Sequence, residues 1–341
     1  MKKVLFALCF VAIAAVGAIA QEEATVTSSF STQIYTGFSY YMGSSTIVAG
    51  DSDNLDDATS RLNFTGVFTM GDFGAKFTLR AQNIDNDNWQ PSYDSAMDTK
   101  LSVNGTVGAR RAFVFYTFLE QKMYLAAGLP GIGDFSTTYD GLVAFDNALP
   151  GVLATVKPIE GLELGYFFPI SSAEADAETL FNASTVAAMY EIPSIATVQV
   201  WLHQFDDLQV VGDINVTAVE GLTLSGEFGY NDTVDFEDPD CIDVKEQVGY
   251  AFGKVSPLVV SSQHFPDSGD MTFTVKPSIA YALSDNIELA AEYAYDSGAE
   301  NHVFDAYAKF TLQNNYIKVK PGYDTADGKG FFLKTVLVAE F

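Results

Sequence analysis

Arginine, histidine and cysteine are scarce in this chain: four, three and two among 341 residues. After residue 20 no apolar run approaches the ~20 residues that a spanning helix requires. Each shortage excludes something. Only 18 lysines and arginines stand against 44 acids, a formal charge of −26, which argues against nucleic acid as a partner because that needs basic surface. Three separated histidines (His203, His264 and His302) give little support to a catalytic or metal-binding histidine site, and alternation puts His203 and His302 on different kinds of face. No Gly-x-Ser-x-Gly, His-Glu-x-x-His or phosphate-loop motif occurs. No linker, low-complexity stretch or composition break divides the chain.

The one long apolar run lies at the front. Met1-Lys2-Lys3 is a basic start, Val4 to Val16 an apolar stretch, and Ala18-Ile19-Ala20 a small-x-small box before Gln21. Residues 1–20 therefore read as a secretory signal peptide and 21–341 as the mature domain. Processing there would remove two lysines and Cys9, leaving a charge of −28 and one cysteine, Cys241, with no intrachain disulfide.

What is abundant is aromatic side chains, 27 Phe and 17 Tyr, and strict alternation. Met271, Phe273, Val275, Pro277, Ile279 and Tyr281 share one face, while Thr272, Thr274, Lys276 and Ser278 share the other. Phe73, Ala75, Phe77, Leu79 and Ala81 oppose Lys76, Thr78, Arg80 and Gln82 in the same way. A period of two is a strand with one apolar and one polar face. Marking each such run predicts about eighteen strands: 29–41, 61–70, 73–84, 103–118, 122–129, 150–157, 161–168, 181–191, 196–204, 208–219, 222–230, 245–253, 256–264, 271–282, 286–295, 301–312, 315–323 and 330–341. Connections alternate between short turns, such as Gly71-Asp72, Glu220-Gly221 and Gln313-Asn314, and long segments at 42–60, 85–102, 130–149 and 231–244.

That pattern predicts an all-β fold: a transmembrane, antiparallel, up-and-down β-barrel of 16–18 strands in the cell outer membrane. A closed barrel satisfies every backbone N–H and C=O in lipid, whereas an open sheet does not. The inner face is expected to be polar. Tyr40, Tyr41, Tyr166, Phe167, Phe168, Tyr230, Tyr295 and Tyr323 are expected at strand ends, as interfacial girdles.

Charge inside the expected barrel is unevenly spread. Arg61, Arg80, Arg110 and Arg111 all fall within residues 61–111, and alternation turns Arg61, Lys76 and Arg80 inward, with Arg111 ambiguous in phase. Lys318, Lys320 and Lys334 are also expected inside. Glu163, Asp213, Glu227, Glu288, Glu292 and Asp305 form the expected inner acids, interrupted by Lys276 and Lys309. Segment 130–149 is more apolar than the other long connections and carries Asp134, Asp140 and Asp146. Burial of its apolar groups favours folding inward. The acidic runs at 51–57, 85–88 and 232–243 lack full EF-hand spacing and read as solvated loops, with Cys241 a bystander in the third.

The chain ends in a strand closed by Phe341, which resembles the terminal aromatic assembly signal of outer-membrane barrels. The expected strands and the third long loop resemble the general diffusion porins. In that family the third loop narrows the pore, its acids facing a basic cluster on the wall. The resemblance implies a constriction of Asp134, Asp140 and Asp146 facing Arg61, Lys76, Arg80 and Arg111. Eighteen strands depart from the usual sixteen, and Ala339 stands where that family often has an aromatic. The implied function is passive diffusion of ions and small hydrophilic solutes, without enzyme activity, cofactor or metal. Its partners would be outer-membrane lipids, the barrel-assembly machinery and, borrowed from the family, two further copies in a homotrimer. A structural or adhesive surface barrel acting through its long loops is the alternative, and a barrel-embedded enzyme a more distant one.

Overall fold

A computed structural model describes residues 25–49, 61–82, 106–130, 150–170, 177–203, 205, 208–230 and 241–341. Residues 1–24, with the expected signal peptide, and most of the long connections, including residues 131–149, lie outside these. The described chain is an antiparallel barrel. Its first strands are β1 (Val26–Tyr41), β2 (Thr46–Ala49), β3 (Arg61–Met70), β4 (Phe73–Gln82) and β5 (Thr106–Phe118). Next come β6 (Met123–Leu129), β7 (Gly151–Ile159), β8 (Leu162–Pro169), helix α1 (Ala177–Asn182), β9 (Thr185–Ile192) and β10 (Ala196–His203). Then follow β11 (Gln209–Val216), β12 (Leu222–Tyr230), β13 (Ile242–Tyr250), β14 (Val255–Phe265) and β15 (Thr272–Ser284). The last are β16 (Ile287–Asp296), β17 (Asn301–Leu312), β18 (Asn315–Asp324) and β19 (Gly330–Glu340).

β1 pairs with β3, from β3 onward each strand pairs with the next, and β19 returns to β1 with Gln33 opposite Glu340 and Tyr41 opposite Phe332. β2 is an extra rim piece. It continues the edge of β1 at Phe38–Tyr41, above the stretch that pairs with β3. Leaving it aside, eighteen strands close the barrel, the upper end of the expected range. The seam carries a reciprocal pair of backbone bonds, Thr32 N–H to the Phe341 carbonyl at 3.0 Å and Phe341 N–H to the Thr32 carbonyl at 2.9 Å.

The short turns all lie at one end of the barrel and the long connections at the other. Gly161 shows why residue choice matters in those turns: its φ is +80°, and a Cβ there would lie 2.5 Å from the Glu191 carbonyl oxygen. Alternation then sorts the side chains. Phe30, Phe64, Phe68 and Phe77 pack together on the outward face, with ring centroids 5.5–6.3 Å apart. Tyr116 with Phe118, and Tyr250 with Phe252, ring the outside at the short-turn end. Phe273, Tyr295 and His302 do so at the long-connection end, as do Tyr323 and Phe331. Two of the expected girdle residues sit inside instead: Tyr41 against Phe332, and Phe167, which is 1% exposed. Both share the parity of inward neighbours, and a strand places parity above residue type.

The inner face also departs from a uniformly polar lining. It is polar along β1, β3, β4 and β12 to β18. From β5 to β11 it carries a large apolar patch: Phe113, Ala126, Leu153, Phe167, Ala187, Trp201 and Val211 form one buried cluster, flanked by Phe115, Tyr124 and Met189, with Arg111, Thr155 and Gln199 buried beside it. Over that patch the strands have apolar groups on both faces, which weakens the alternation there.

Candidate functional site: the barrel interior

Beside the seam, the polar inner face of β1, β3, β4, β5 and β19 encloses a recess of about 470 Å³. Strand pairing sets its contents side by side: Gln33 faces Glu340 on one flank and Asn63 on the other, and Asn63 faces Arg80. A hydrogen-bond chain follows that register. The Arg80 Nε–H donates to Asn63 Oδ1 at 2.8 Å, Asn63 Nδ2 donates to Gln33 Oε1 at 3.4 Å, and Gln33 Nε2 donates to Glu340 Oε1. Two amides thus link a guanidinium to a carboxylate across the seam. The amides can serve because each both donates and accepts.

Lys76 and Arg111 line the same recess. Arg111 shares the inward parity of Phe113 and lies opposite Thr78, immediately before a register shift that leaves Arg110 as the extra residue, which resolves its phase. It is 7% exposed. Lys76 lies one pair further along, its Nζ 5.8 Å from the centre of the Phe113 ring. Three cations predicted from sequence therefore share one wall, and that wall abuts the apolar cluster at Phe113. Arg61 heads β3, opposite Gln82, and its side chain lies outside the described residues, as does that of Arg110. Asp134, Asp140 and Asp146 also lie outside them.

The other inner charges are interleaved rather than segregated. Lys320 sits between two acids, its Nζ 2.7 Å from Glu292 Oε2 and 3.3 Å from Asp305 Oδ2. Glu292 and Asp305 are direct cross-strand partners, so the lysine separates two carboxylates that face each other. Glu288 accepts a hydrogen bond from the Tyr307 hydroxyl at 2.8 Å, and Lys318 lies 4.3 Å from the Tyr307 ring centre. Lys309 stacks on Tyr316 at 4.4 Å, and Lys334 lies over Phe332 at 5.1 Å. Glu163 meets Lys157 at 3.6 Å. Asp213 pairs across strands with Glu227, and Glu227 with Lys245. Lys276 is on the inner face, opposite Val260.

The histidines do not converge. Nδ1 of His203 lies 2.6 Å from Thr185 Oγ1 inside the barrel, His302 bonds the Tyr293 hydroxyl outside it, and His264 bonds Asp243 at 2.8 Å on the inner face. Phe341, at the short-turn end, is 76% exposed.

The interior thus lies within a closed barrel of eighteen antiparallel strands, with an apolar outside and a charged, partly apolar inside. Among solved structures the chain is similar to the outer membrane protein OpdK of Pseudomonas aeruginosa, solved with vanillate. The TM-score is 0.57 at 13% identity, over 92% of this chain and 98% of that one. It is also similar to OccAB3 of Acinetobacter baumannii, at TM-score 0.55 and 9% identity over 93% and 99%. A third is the porin of Rhodopseudomonas blastica in a triple-mutant form, at 0.50 and 13% over 92% and 100%. Likeness at such identity is likeness of fold. No protein-family model matches the chain, and no curated protein matches it in sequence.

Proposed function

We propose that this chain is an outer-membrane pore through which ions and small hydrophilic solutes diffuse passively. The observation that carries the reading is the inverted polarity of the wall. Phe64, Phe68, Phe228, Phe304 and Phe310 point outward and exposed, while Lys76, Arg80, Glu292, Asp305 and Lys320 point inward. In water such a barrel would expose its apolar belt and bury its charges. In a bilayer both faces are satisfied, because lipid covers the belt and lumen water solvates the charges. At eighteen strands side chains alone do not fill the interior, so an aqueous path is expected.

The outer membrane is the membrane such a barrel suits, with the long connections facing out and Phe341 at the inner edge. The apolar cluster from β5 to β11 supports an inward-folded segment 130–149. That wall is buried although it faces the lumen, and the apolar residues of the segment match it in chemistry. In this reading Asp134, Asp140 or Asp146 opposes Arg80 or Arg111 and sets the narrowest point. With a net charge of −26 and inner acids such as Glu227, Glu288 and Glu292, the pore is mildly cation-selective at low salt.

Single-channel recording of the purified protein in a planar bilayer tests this. Discrete, ohmic conductance steps are expected. A correctly folded barrel that gives none would overturn the pore reading.

A further inference from the structure

At the long-connection end of the barrel, three side chains of different ligand chemistry meet on the inner face. Asp243 in β13 lies directly across from His264 in β14, and Cys241, two positions before Asp243, shares its face. Asp243 Oδ1 accepts from His264 Nδ1 at 2.8 Å, and Cys241 Sγ lies 3.7 Å from Asp243 Oδ2. One ligand atom from each residue lies within 4.8 Å of the other two. The Cys241 side chain is 0% exposed, whereas Asp243 and His264 remain partly open to the lumen. From the sequence alone Cys241 is a bystander and the three histidines are unrelated. What unites this set is the β13–β14 register, which no sequence spacing announces, since Cys241 and His264 are 23 positions apart.

We propose that Cys241, Asp243 and His264 form a binding site for a borderline-soft divalent cation of the zinc class at the outer mouth of the barrel. The donor set selects that class. A thiolate and an imidazole disfavour calcium and magnesium, which take all-oxygen shells. One sulfur, one nitrogen and one oxygen supply three corners of a tetrahedron, and the fourth faces the lumen, open to water or a passing anion. Ligand atoms in such a shell stand roughly 3.3–3.7 Å apart, so the 2.8 Å Asp243–His264 contact must open while the widest separation contracts. That contact already brings Nδ1 to the carboxylate, and binding replaces the hydrogen bond, the neutral imidazole keeping its proton on Nε2. Binding releases the thiol proton to water and leaves the imidazole neutral, so affinity rises with pH. Lys245, two positions along the same face, repels the ion, and its cross-strand partner Glu227 offsets that charge. A bound cation would tie the start of β13 to the end of β14 and raise the charge of the mouth by one, since the thiol proton leaves as the dication arrives.

Cobalt titration of the detergent-solubilised, folded barrel tests the site without depending on conductance. Co²⁺ is expected to bind one per chain with a thiolate-to-cobalt charge-transfer band, and Zn²⁺ to displace it. Cys241→Ser should abolish the band. His264→Ala and Asp243→Asn should each weaken binding roughly tenfold or more, with the heat-dependent gel shift of the folded barrel unchanged in all three. Absence of the charge-transfer band in the folded wild-type barrel, or equal cobalt affinity in Cys241→Ser, would overturn the proposal. The second outcome would assign the ion to surface carboxylates. If Co²⁺ binds as expected but no current flows in bilayers, the pore reading fails and this site stands.

Discussion

Lys320 is the most exposed test of how the lumen balances charge. Replacing it with methionine keeps the length of the side chain and removes the cation between Glu292 and Asp305. Its Nζ stands 2.7 and 3.3 Å from their oxygens. At an effective dielectric constant of about 20 those separations correspond to gross attractions of roughly 6 and 5 kcal/mol. Most of this is cancelled by the desolvation of all three groups. The Glu292 side chain is 30% exposed and that of Lys320 19%, so lumen water screens what remains. Asp305 is 8% exposed and its Oδ1 has no hydrogen-bond partner among the described residues, so it suffers most when the lysine goes. A net destabilisation of about 1–3 kcal/mol follows, between the values for exposed and buried pairs. For an ion passing about 5 Å away in water, the lost charge is worth about 0.8 kcal/mol, a roughly fourfold rise in local cation preference. The assays are the temperature at which the folded band is lost on gels and the reversal potential across a salt gradient. Lys320→Met should lower the first and move the second toward cations, the shift fading as the Debye length falls from ~30 Å at 0.01 M to ~3 Å at 1 M. Lys320→Met with Asp305→Asn should recover much of the stability, because only one carboxylate is then left. An unchanged reversal potential at low salt, or a double variant no more stable than the single, would refute the charge balance described here.

Arg80→Ala should also shift selectivity toward cations, by a few-fold at low salt on the same arithmetic; a shift toward anions in the reversal potential would show that Arg80 does not border the ion path. Deletion of residues 136–145 is expected to raise single-channel conductance, and an unchanged or smaller step would place that segment away from the constriction. Removal of Phe341 should lower the yield of folded, heat-modifiable protein, since both backbone bonds to Thr32 are lost; full yield on gels would deny it an assembly role. Gly322→Ala would put a Cβ 2.2 Å from the Phe332 ring and 2.7 Å from the Phe304 carbonyl oxygen. The resulting overpacking should cost about 1–3 kcal/mol in thermal stability, measured by the same gel shift.

Strand positions are legible because most outward residues are apolar and most inward ones polar, and every second connection is a short turn. All eighteen barrel strands fall where alternation put them. β2 was not, since four residues of rim strand inside a polar connection carry no period. Helix α1 has no sequence signal for a related reason: its end, Phe181 and Asn182, falls inside the strand expected at 181–191, whereas β9 begins only at Thr185. The cations of the recess could be foreseen from parity alone. Arg111 could not, because β5 is apolar on both faces and the sequence leaves open whether Phe113 or Val114 turns inward. The apolar inner wall was half visible at Phe113 and Phe115. Its extension through Leu153, Phe167 and Trp201 depended on knowing which of two apolar faces turned inward. Cross-strand meetings, such as Lys320 with Glu292 and Asp305 or Cys241 with His264, depend on which residue lies opposite which, and composition does not encode that.

The seam between β1 and β19 has a consequence for how the barrel comes into being. Every other neighbouring pair in the barrel is joined directly in sequence and can form as a local hairpin. The seam instead joins Gln33 to Glu340, 307 positions apart. Closing a loop of that length rather than one of ~10 residues costs about 3 kcal/mol more in chain entropy. Until the final strand arrives, β1 remains a naked edge able to accept any extended chain. The amide chain from Arg80 through Asn63 and Gln33 to Glu340 can be complete only after that strand docks, which makes the recess a product of the last step of folding.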